Sequence, residues 1–353
     1  MDRLIVKNFG PLKDIDIELN KINLFIGENG SGKSVLAKII TIVLNLENHM
    51  INEANLFKKF QEYYIDFLTN ETIIKFFVKE SLLFEIREKE IHNRVSFKEF
   101  HPIIQAEIKK GQDKIISENK LTTQYIPAER NLISLFNKYI TTFITADIPL
   151  PRFLLNFSSQ YTRARESIQQ LNFLNVEYQL KNGQEHIFYT EKESLLLEYS
   201  SSGIQSALPL YLTVKYFAEK HKGIIIEELE QNLFPKAQAE TIKYIVEQVS
   251  TENNLFLMTH SPYVLSTLNT LMMAYKAGNL SEEARKEVSK LSKEEQWINP
   301  QAFSAYYLEN GVARDIKGRT GLISENEIDD ISDDMACDFD ELLAIYREHK
   351  RDK

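Results

Sequence analysis

Residues 27–34 read Gly-Glu-Asn-Gly-Ser-Gly-Lys-Ser, and no other stretch constrains the fold as strongly. The pattern G-x-x-x-x-G-K-[ST] is that of a phosphate-binding loop, whose backbone N–H groups curl around phosphate oxygens. Ile22, Leu24, Phe25 and Ile26 ahead of it read as a strand, and the spacing of Val35, Leu36, Ile39, Ile40 and Val43 behind it reads as a helix. That strand–loop–helix setting is what phosphate binding requires. The chain has only 12 glycines, yet Gly27, Gly30 and Gly32 fall together here, which a chance turn explains poorly. Gly27, Glu28, Asn29, Gly30, Ser31, Gly32 and Val35 are expected around the phosphates. Lys33 brings a point charge for the β and γ phosphates and Ser34 a hydroxyl for Mg2+, while the helix N-terminus adds a favourable dipole. ATP and Mg2+ are the ligands this predicts.

At 353 residues the chain is long enough for a large core, as one elaborated domain or a domain carrying an insertion. Its net charge of −9 argues against coating nucleic acid by bulk electrostatics, although a local basic groove, and with it a DNA partner, stays open. Cys337 is the single cysteine, so intramolecular disulfides and cysteine-based zinc sites are excluded. The N-terminal residues lack a signal-peptide core, and Lys138, Asp147, Pro149 and Pro151 break up the most apolar stretch, 132–155. A soluble, cytoplasmic protein without a membrane partner is expected.

Further along, Leu4–Lys7 and Ile15–Leu19 alternate apolar and polar residues around Gly10-Pro11 and predict an antiparallel pair. From Leu46 to about Lys120 glycines are few, and Leu56, Phe60, Tyr63, Tyr64 and Phe67 share a helical face. Residues 73–97 fit helix or strand equally. The segment 46–119 is read as a largely helical insertion without the heptad run of a coiled-coil arm. Gln124-Tyr125-Ile126 predicts a strand ending in the turn Pro127–Arg130, followed by helix through about Leu171. Lys181-Asn182-Gly183 between Val176–Leu180 and His186–Thr190 predicts a hairpin. Leu195–Leu197 reads as a strand, and Ser200–Gln205 as the start of a helix. Two apolar runs, Ile224–Ile226 and Leu255–Met258, are strands of the buried parallel type. Ala302–Leu308 reads as a strand and Asp338–Tyr346 as a terminal helix, with an exposed acidic segment between them. The expected fold is α/β: a P-loop core with a mixed sheet over 1–45 and 120–299, an antiparallel β subdomain, the insertion, and a C-terminal extension over 300–353.

Gly223-Ile224-Ile225-Ile226-Glu227-Glu228 is an apolar strand ending in two acids. In a nucleotide site the first would hold the Mg2+ shell and the second, Glu228, would deprotonate the attacking water as catalytic base. Glu227 stands where aspartate is usual, one methylene longer. Leu255–Met258 ends at Thr259-His260-Ser261-Pro262, where His260 is placed to touch the γ phosphate. Ser201-Ser202-Gly203-Ile204-Gln205 lies between these motifs in the chain. In isolation it reads as a helix cap.

Taken in order, GENGSGKS, YIPAERN, SSGIQSALPL, IIIEELEQNLFP and LFLMTHSPYVL resemble the RecF/SMC/overcoming-lysogenization-defect branch of ABC-type ATPases, over residues 1–45 and roughly 120–270. Within it the chain is similar to stand-alone ATPases of prokaryotic defence and repair loci. The resemblance implies an ABC ATPase head whose two copies dimerise around two ATP molecules. Ser202 and Gly203 would then meet the γ phosphate held by the other subunit, as a partial match to the signature Leu-Ser-Gly-Gly-Gln. Lys33, Glu228 and His260 would serve catalysis, Ser34 and Glu227 the metal, and Glu230-Gln231-Asn232 would line the dimer interface as D-loop. Pro127–Arg130 takes the place of the Q-loop but lacks its Gln; Gln124 lies three residues early as a substitute. Arg130 would reach phosphate, the partner subunit or an ordinary surface salt bridge.

Relatives with a C-terminal metal nuclease carry a Glu and an Asp-x-Asp at strand ends. Here the acids of 328–334 follow no apolar strand, so ATP hydrolysis is the only chemistry expected. The resemblance thus implies an ATPase subunit, a homodimer or higher oligomer, that controls a separately encoded effector such as a nuclease or toxin in antiviral defence. The alternative is a RecF-like DNA-binding ATPase of repair or recombination.

Overall fold

The computed structural model describes residues 2–45, 53–78, 80–92, 123–136, 139–146, 150–220, 223–249, 253–324 and most of 337–350. An N-terminal hairpin, β1 (Asp2–Phe9) and β2 (Leu12–Leu19), is followed by β3 (Ile22–Ile26). Then come β4 (Ile73–Val78), β5 (Ser81–Arg87), β6 (Glu90–Ile91) and β7 (Thr123–Ile126). A second group comprises β8 (Gln170–Phe173), β9 (Val176–Lys181), β10 (Gln184–Phe188) and β11 (Ser194–Leu196). The chain returns with β12 (Gly223–Glu227), β13 (Leu255–Met258), β14 (Phe303–Glu309) and β15 (Val312–Asp315).

These strands make an 11-stranded sheet, ordered β6-β5-β4-β1-β2-β15-β14-β3-β13-β12-β7, and a separate 4-stranded antiparallel sheet, β11-β10-β9-β8. The large sheet is mixed. From β14 to β7 its neighbours run parallel, whereas β1, β2, β4, β5 and β6 are antiparallel. Every residue of β3, β12 and β13 is buried, as continuous apolar strands covered on both faces require. Strand β2 alternates buried and exposed residues, matching its polar–apolar pattern. The Lys181-Asn182-Gly183 hairpin forms as expected, with Asn182 and Gly183 at φ 51 and 76.

Three expectations change. First, the insertion is not largely helical among its described residues. One helix, Glu53–Glu62, precedes strands β4–β6, which extend the sheet by pairing β4 on β1. The open edge of the N-terminal hairpin recruits them, a tertiary choice that local periodicity does not encode; residues 93–122 lie outside the described residues. Second, the helical stretch after Arg130 is broken into Asn131–Phe136, Ile140–Thr145 and Arg152–Ser167, and Leu171 lies in β8. Third, residues 303–315 are not an appendage to the core. β14 pairs in parallel with the P-loop strand β3, and the Tyr306 hydroxyl both donates to the Glu18 carbonyl and accepts from the Glu18 N–H at 3.0 and 2.9 Å. The 325–336 acidic segment lies outside the described residues, while 337–343 and 345–347 are helical. Among the described residues no helix is long and apolar enough to cross a membrane.

Candidate nucleotide site

Strands β3, β13, β12 and β7 lie side by side and parallel, so the loops leaving their carboxyl ends meet at one edge. Open parallel sheets bind ligands at that edge. It brings together the P-loop after β3, Thr259-His260 after β13, Glu227-Glu228 at the end of β12 and Pro127–Arg130 after β7. Two backbone bonds tie these loops: Glu228 N–H donates to the Met258 carbonyl at 2.8 Å and Thr259 N–H to the Phe25 carbonyl at 3.1 Å.

The P-loop has the shape its glycines allow. Gly27, Gly30 and Gly32 have φ of 150, 83 and 99, a region that side chains disfavour. At Gly27 space adds a second constraint, since a Cβ would sit 2.4 Å from the Leu308 carbonyl oxygen of β14. The helix Lys33–Leu44 starts at Gly32 without a side-chain cap, leaving its first N–H groups to a phosphate. Lys33 Nζ bends over the loop and donates to the carbonyls of Gly27 (2.6 Å) and Glu28 (2.8 Å). Burial pulls its ammonium below lysine's ordinary value, against the opposing charges of Glu228, Glu230 and Glu227. Ser31 Oγ is buried without a hydrogen-bond partner, a polar atom suited to a phosphate oxygen.

Glu227 is buried, and burial holds its carboxyl above the ordinary glutamate value despite hydrogen bonds from Tyr125 and Ser34. The Tyr125 hydroxyl donates to its Oε1 at 2.6 Å. Ser34 and Glu227 thus stand as adjacent hard oxygen donors, a pair that fits Mg2+. Among the described residues no group of three or more His, Cys, Asp or Glu forms a metal cage. Mg2+ is usually held by one or two protein oxygens together with substrate phosphates and water, so such an ion would arrive with the triphosphate.

Glu228 sits at φ 45, a left-handed backbone costing about 1–2 kcal/mol in a residue with a Cβ. It is held there from three sides. Besides the bond to Met258, its carbonyl accepts from Gln231 N–H at 2.9 Å and from Arg130 Nη2 at 2.7 Å. Arg130 is turned away from solvent. It is 1% exposed and donates also to the carbonyls of Glu227 (2.8 Å), Pro127 (3.2 Å) and Ser206 (3.2 Å). Desolvation lowers its guanidinium to about 10, well inside the charged range at neutral pH. Gln124 is likewise occupied, donating to Gln160 and to the Tyr125 carbonyl inside the core, so it does not stand in for the missing Q-loop glutamine.

His260 is exposed, with Nδ1 3.5 Å from Glu230 Oε1. Glu230 is buried rather than displayed at a surface, and Oε1 also accepts from Thr259 Oγ1 (2.6 Å) and His260 N–H (2.9 Å). The D-loop segment therefore steers the histidine turn from within. Helix Ser202–Ala218 opens with Ser201 and Ser202 both exposed and no side-chain cap from Ser201. Gly203 packs so closely on the D-loop that a Cβ would stand 2.9 Å from the Asn232 carbonyl. Gln205 turns inward, donating to the carbonyls of Leu197, Glu198 and Ser200. The motifs contain neither Tyr125 nor the approach of β14, and they place Glu230 at a dimer interface, whereas it is buried beneath the His260 turn; for Tyr125 the available signal was the unusual glutamate on the neighbouring strand.

Fold and site together define a P-loop nucleotide-binding protein. A family model described as an AAA ATPase domain matches residues 1–161 and 85–265, and the chain belongs to that family. No curated protein matches it in sequence. Among solved structures it is similar to the SMC head domain from Thermotoga maritima (13% identity, TM-score 0.40, 89% of this chain and 97% of that one covered). It is also similar to the Smc head domain with an extended coiled coil from Pyrococcus furiosus, bound to the C-terminal domain of ScpA (13%, 0.40, 90% and 96%). A third is an ATP-binding cassette of an ABC transporter in its ADP conformation (14%, 0.39, 91% and 93%).

Proposed function

We propose that this chain hydrolyses ATP with Mg2+, that two copies close on two nucleotides, and that the closed form controls a separate effector, a nuclease or toxin, in a prokaryotic antiviral-defence assembly. One observation supports the enzymatic part above others. The P-loop, the Glu227-Glu228 pair and the His260 turn converge on one sheet edge, while the exposed start of the Ser202 helix faces outward beside the D-loop. Lys33 and the P-loop amides would bind the triphosphate. Ser34 and Glu227 would hold Mg2+, which supplies charge neutralisation at the phosphates. Glu228 would take the proton of the attacking water, and His260, oriented by Glu230, would contact the γ phosphate. The helix start at Ser202 offers the same anion-binding chemistry to the nucleotide of a second copy. The defence role rests on the resemblance of the motifs alone.

The test is Glu228→Gln. Replacing the base by a neutral isostere should stop turnover and let ATP accumulate a stable dimer in size-exclusion chromatography with light scattering. Undiminished turnover would dismiss Glu228 as base; a monomer at saturating ATP would dismiss the two-copy arrangement. Salt-sensitive duplex binding that strengthens with ATP would favour the RecF-like alternative.

A further inference from the structure

We infer that Tyr125 is a positioning residue for the metal-holding acid, and that Glu227 and Tyr125 form a matched pair in which the hydroxyl of one fixes the carboxylate of the other. This rests on the reading of Glu227 as the Mg2+ acid and adds to it a residue that no motif contains.

The pairing follows from strand register. β7 and β12 run parallel with Tyr125 opposite Ile225, so Tyr125, Ile225 and Glu227 project from the same face. Two residues along a strand advance about 6.6 Å, roughly the reach of a tyrosine from backbone to hydroxyl. The phenol therefore arrives at the side chain of Glu227, at 2.6 Å from Oε1. A bond of that length to a carboxylate is in the charge-assisted range. An aspartate at position 227 would withdraw its oxygens by one methylene, and the bond would be lost. The departure from the usual aspartate is thus matched by a donor one strand away.

The donor is itself fixed. Tyr125 is 4% exposed. Its ring packs edge-on against Tyr63 (centroids 5.8 Å apart) and Phe153 (6.1 Å). Tyr63 follows directly on the insertion helix Glu53–Glu62, so the insertion supplies one wall of the device. With Oε1 engaged by Tyr125, rotation of the carboxylate is restricted. Outer donors of this kind, when removed, typically cost 10–100-fold in metal affinity.

The experiment measures the Mg2+ concentration that half-saturates tightening of mant-ATP binding, with mant-ATP affinity in EDTA as control and Mn2+ binding by electron paramagnetic resonance as a second readout. Neither readout needs turnover. Tyr125→Phe is expected to raise the Mg2+ requirement roughly tenfold while leaving affinity in EDTA unchanged. Glu227→Asp, with Tyr125 intact, should raise it as well, because the shorter acid leaves its donor behind. Adding Tyr125→Phe to Glu227→Asp should then change it less than about twofold, the signature of a coupled pair. An unchanged Mg2+ requirement in Tyr125→Phe, an unchanged one in Glu227→Asp, or an undiminished Tyr125→Phe effect in the Glu227→Asp background each overturns the pairing. Glu227→Ala separates the two levels: if it leaves Mg2+ dependence intact, the metal reading fails and the pairing with it. If it abolishes that dependence while Tyr125→Phe does nothing, only the pairing fails.

Discussion

Two buried cations define the residue scale, and their burial has opposite meanings. Lys33 gives up hydration to lie across the P-loop, bonded to two carbonyls that a triphosphate would displace it from. Lys33→Ala should weaken ATP binding about 10- to 100-fold by calorimetry, the worth of a charged hydrogen bond or two. Its melting temperature without nucleotide should not fall, because a desolvated charge is removed along with its bonds. Arg130 instead serves the scaffold. Its four carbonyl acceptors include those of Glu227 and Glu228, so it acts as a clasp behind the two acids. Arg130→Ala would orphan those carbonyls in the interior and should cost about 3 kcal/mol or more in urea denaturation. A mere phosphate contact would leave stability intact and affect only nucleotide binding.

At the scale of elements, the helix Ser202–Ala218 divides its labour. Its first residues are exposed, its Gln205 staples the preceding turn, and its body is buried in the core. An exposed first-turn position tolerates a large side chain, so Ser202→Arg should leave folding and the ATP affinity of a single copy unchanged. Steady-state turnover should fall at least tenfold, in line with loss of a transition-state contact. Wild-type specific activity should rise with protein concentration, and the variant's should not. Equal activity in both, independent of concentration, would show that hydrolysis needs no second copy. The contact of Gly203 with Asn232 makes this helix and the D-loop one unit, and Glu230 links that unit to His260. A second copy docking on the helix start would therefore press on the loop that orients the histidine.

For the molecule as a whole, residues 303–315 belong to the central sheet. β14 covers one side of the P-loop strand and its Leu308 carbonyl lies against Gly27, while Phe25 stacks on Tyr306 at 5.7 Å. Truncation after residue 299 should expose β3 along its length and abolish cooperative unfolding by circular dichroism and ATP binding together. Removal of 337–353, whose described residues are exposed or half-exposed, should shift the melting temperature by no more than a few degrees.

Local sequence determined the pieces whose signals are local. Glycines that only left-handed backbone uses wrote the P-loop, two continuous apolar runs wrote β12 and β13, and an Asn-Gly turn wrote the β9–β10 hairpin. Each of these depends on a few neighbouring residues, and each is legible in the sequence. Tertiary structure alone decided that the insertion adds strands to β1, that β14 intervenes between the hairpin and the P-loop strand, and that Arg130 points inward. It also decided that Tyr125 meets Glu227. All four follow from which strands lie side by side, and edge pairing is set by backbone hydrogen bonds and burial summed over the whole sheet. No single segment carries that sum.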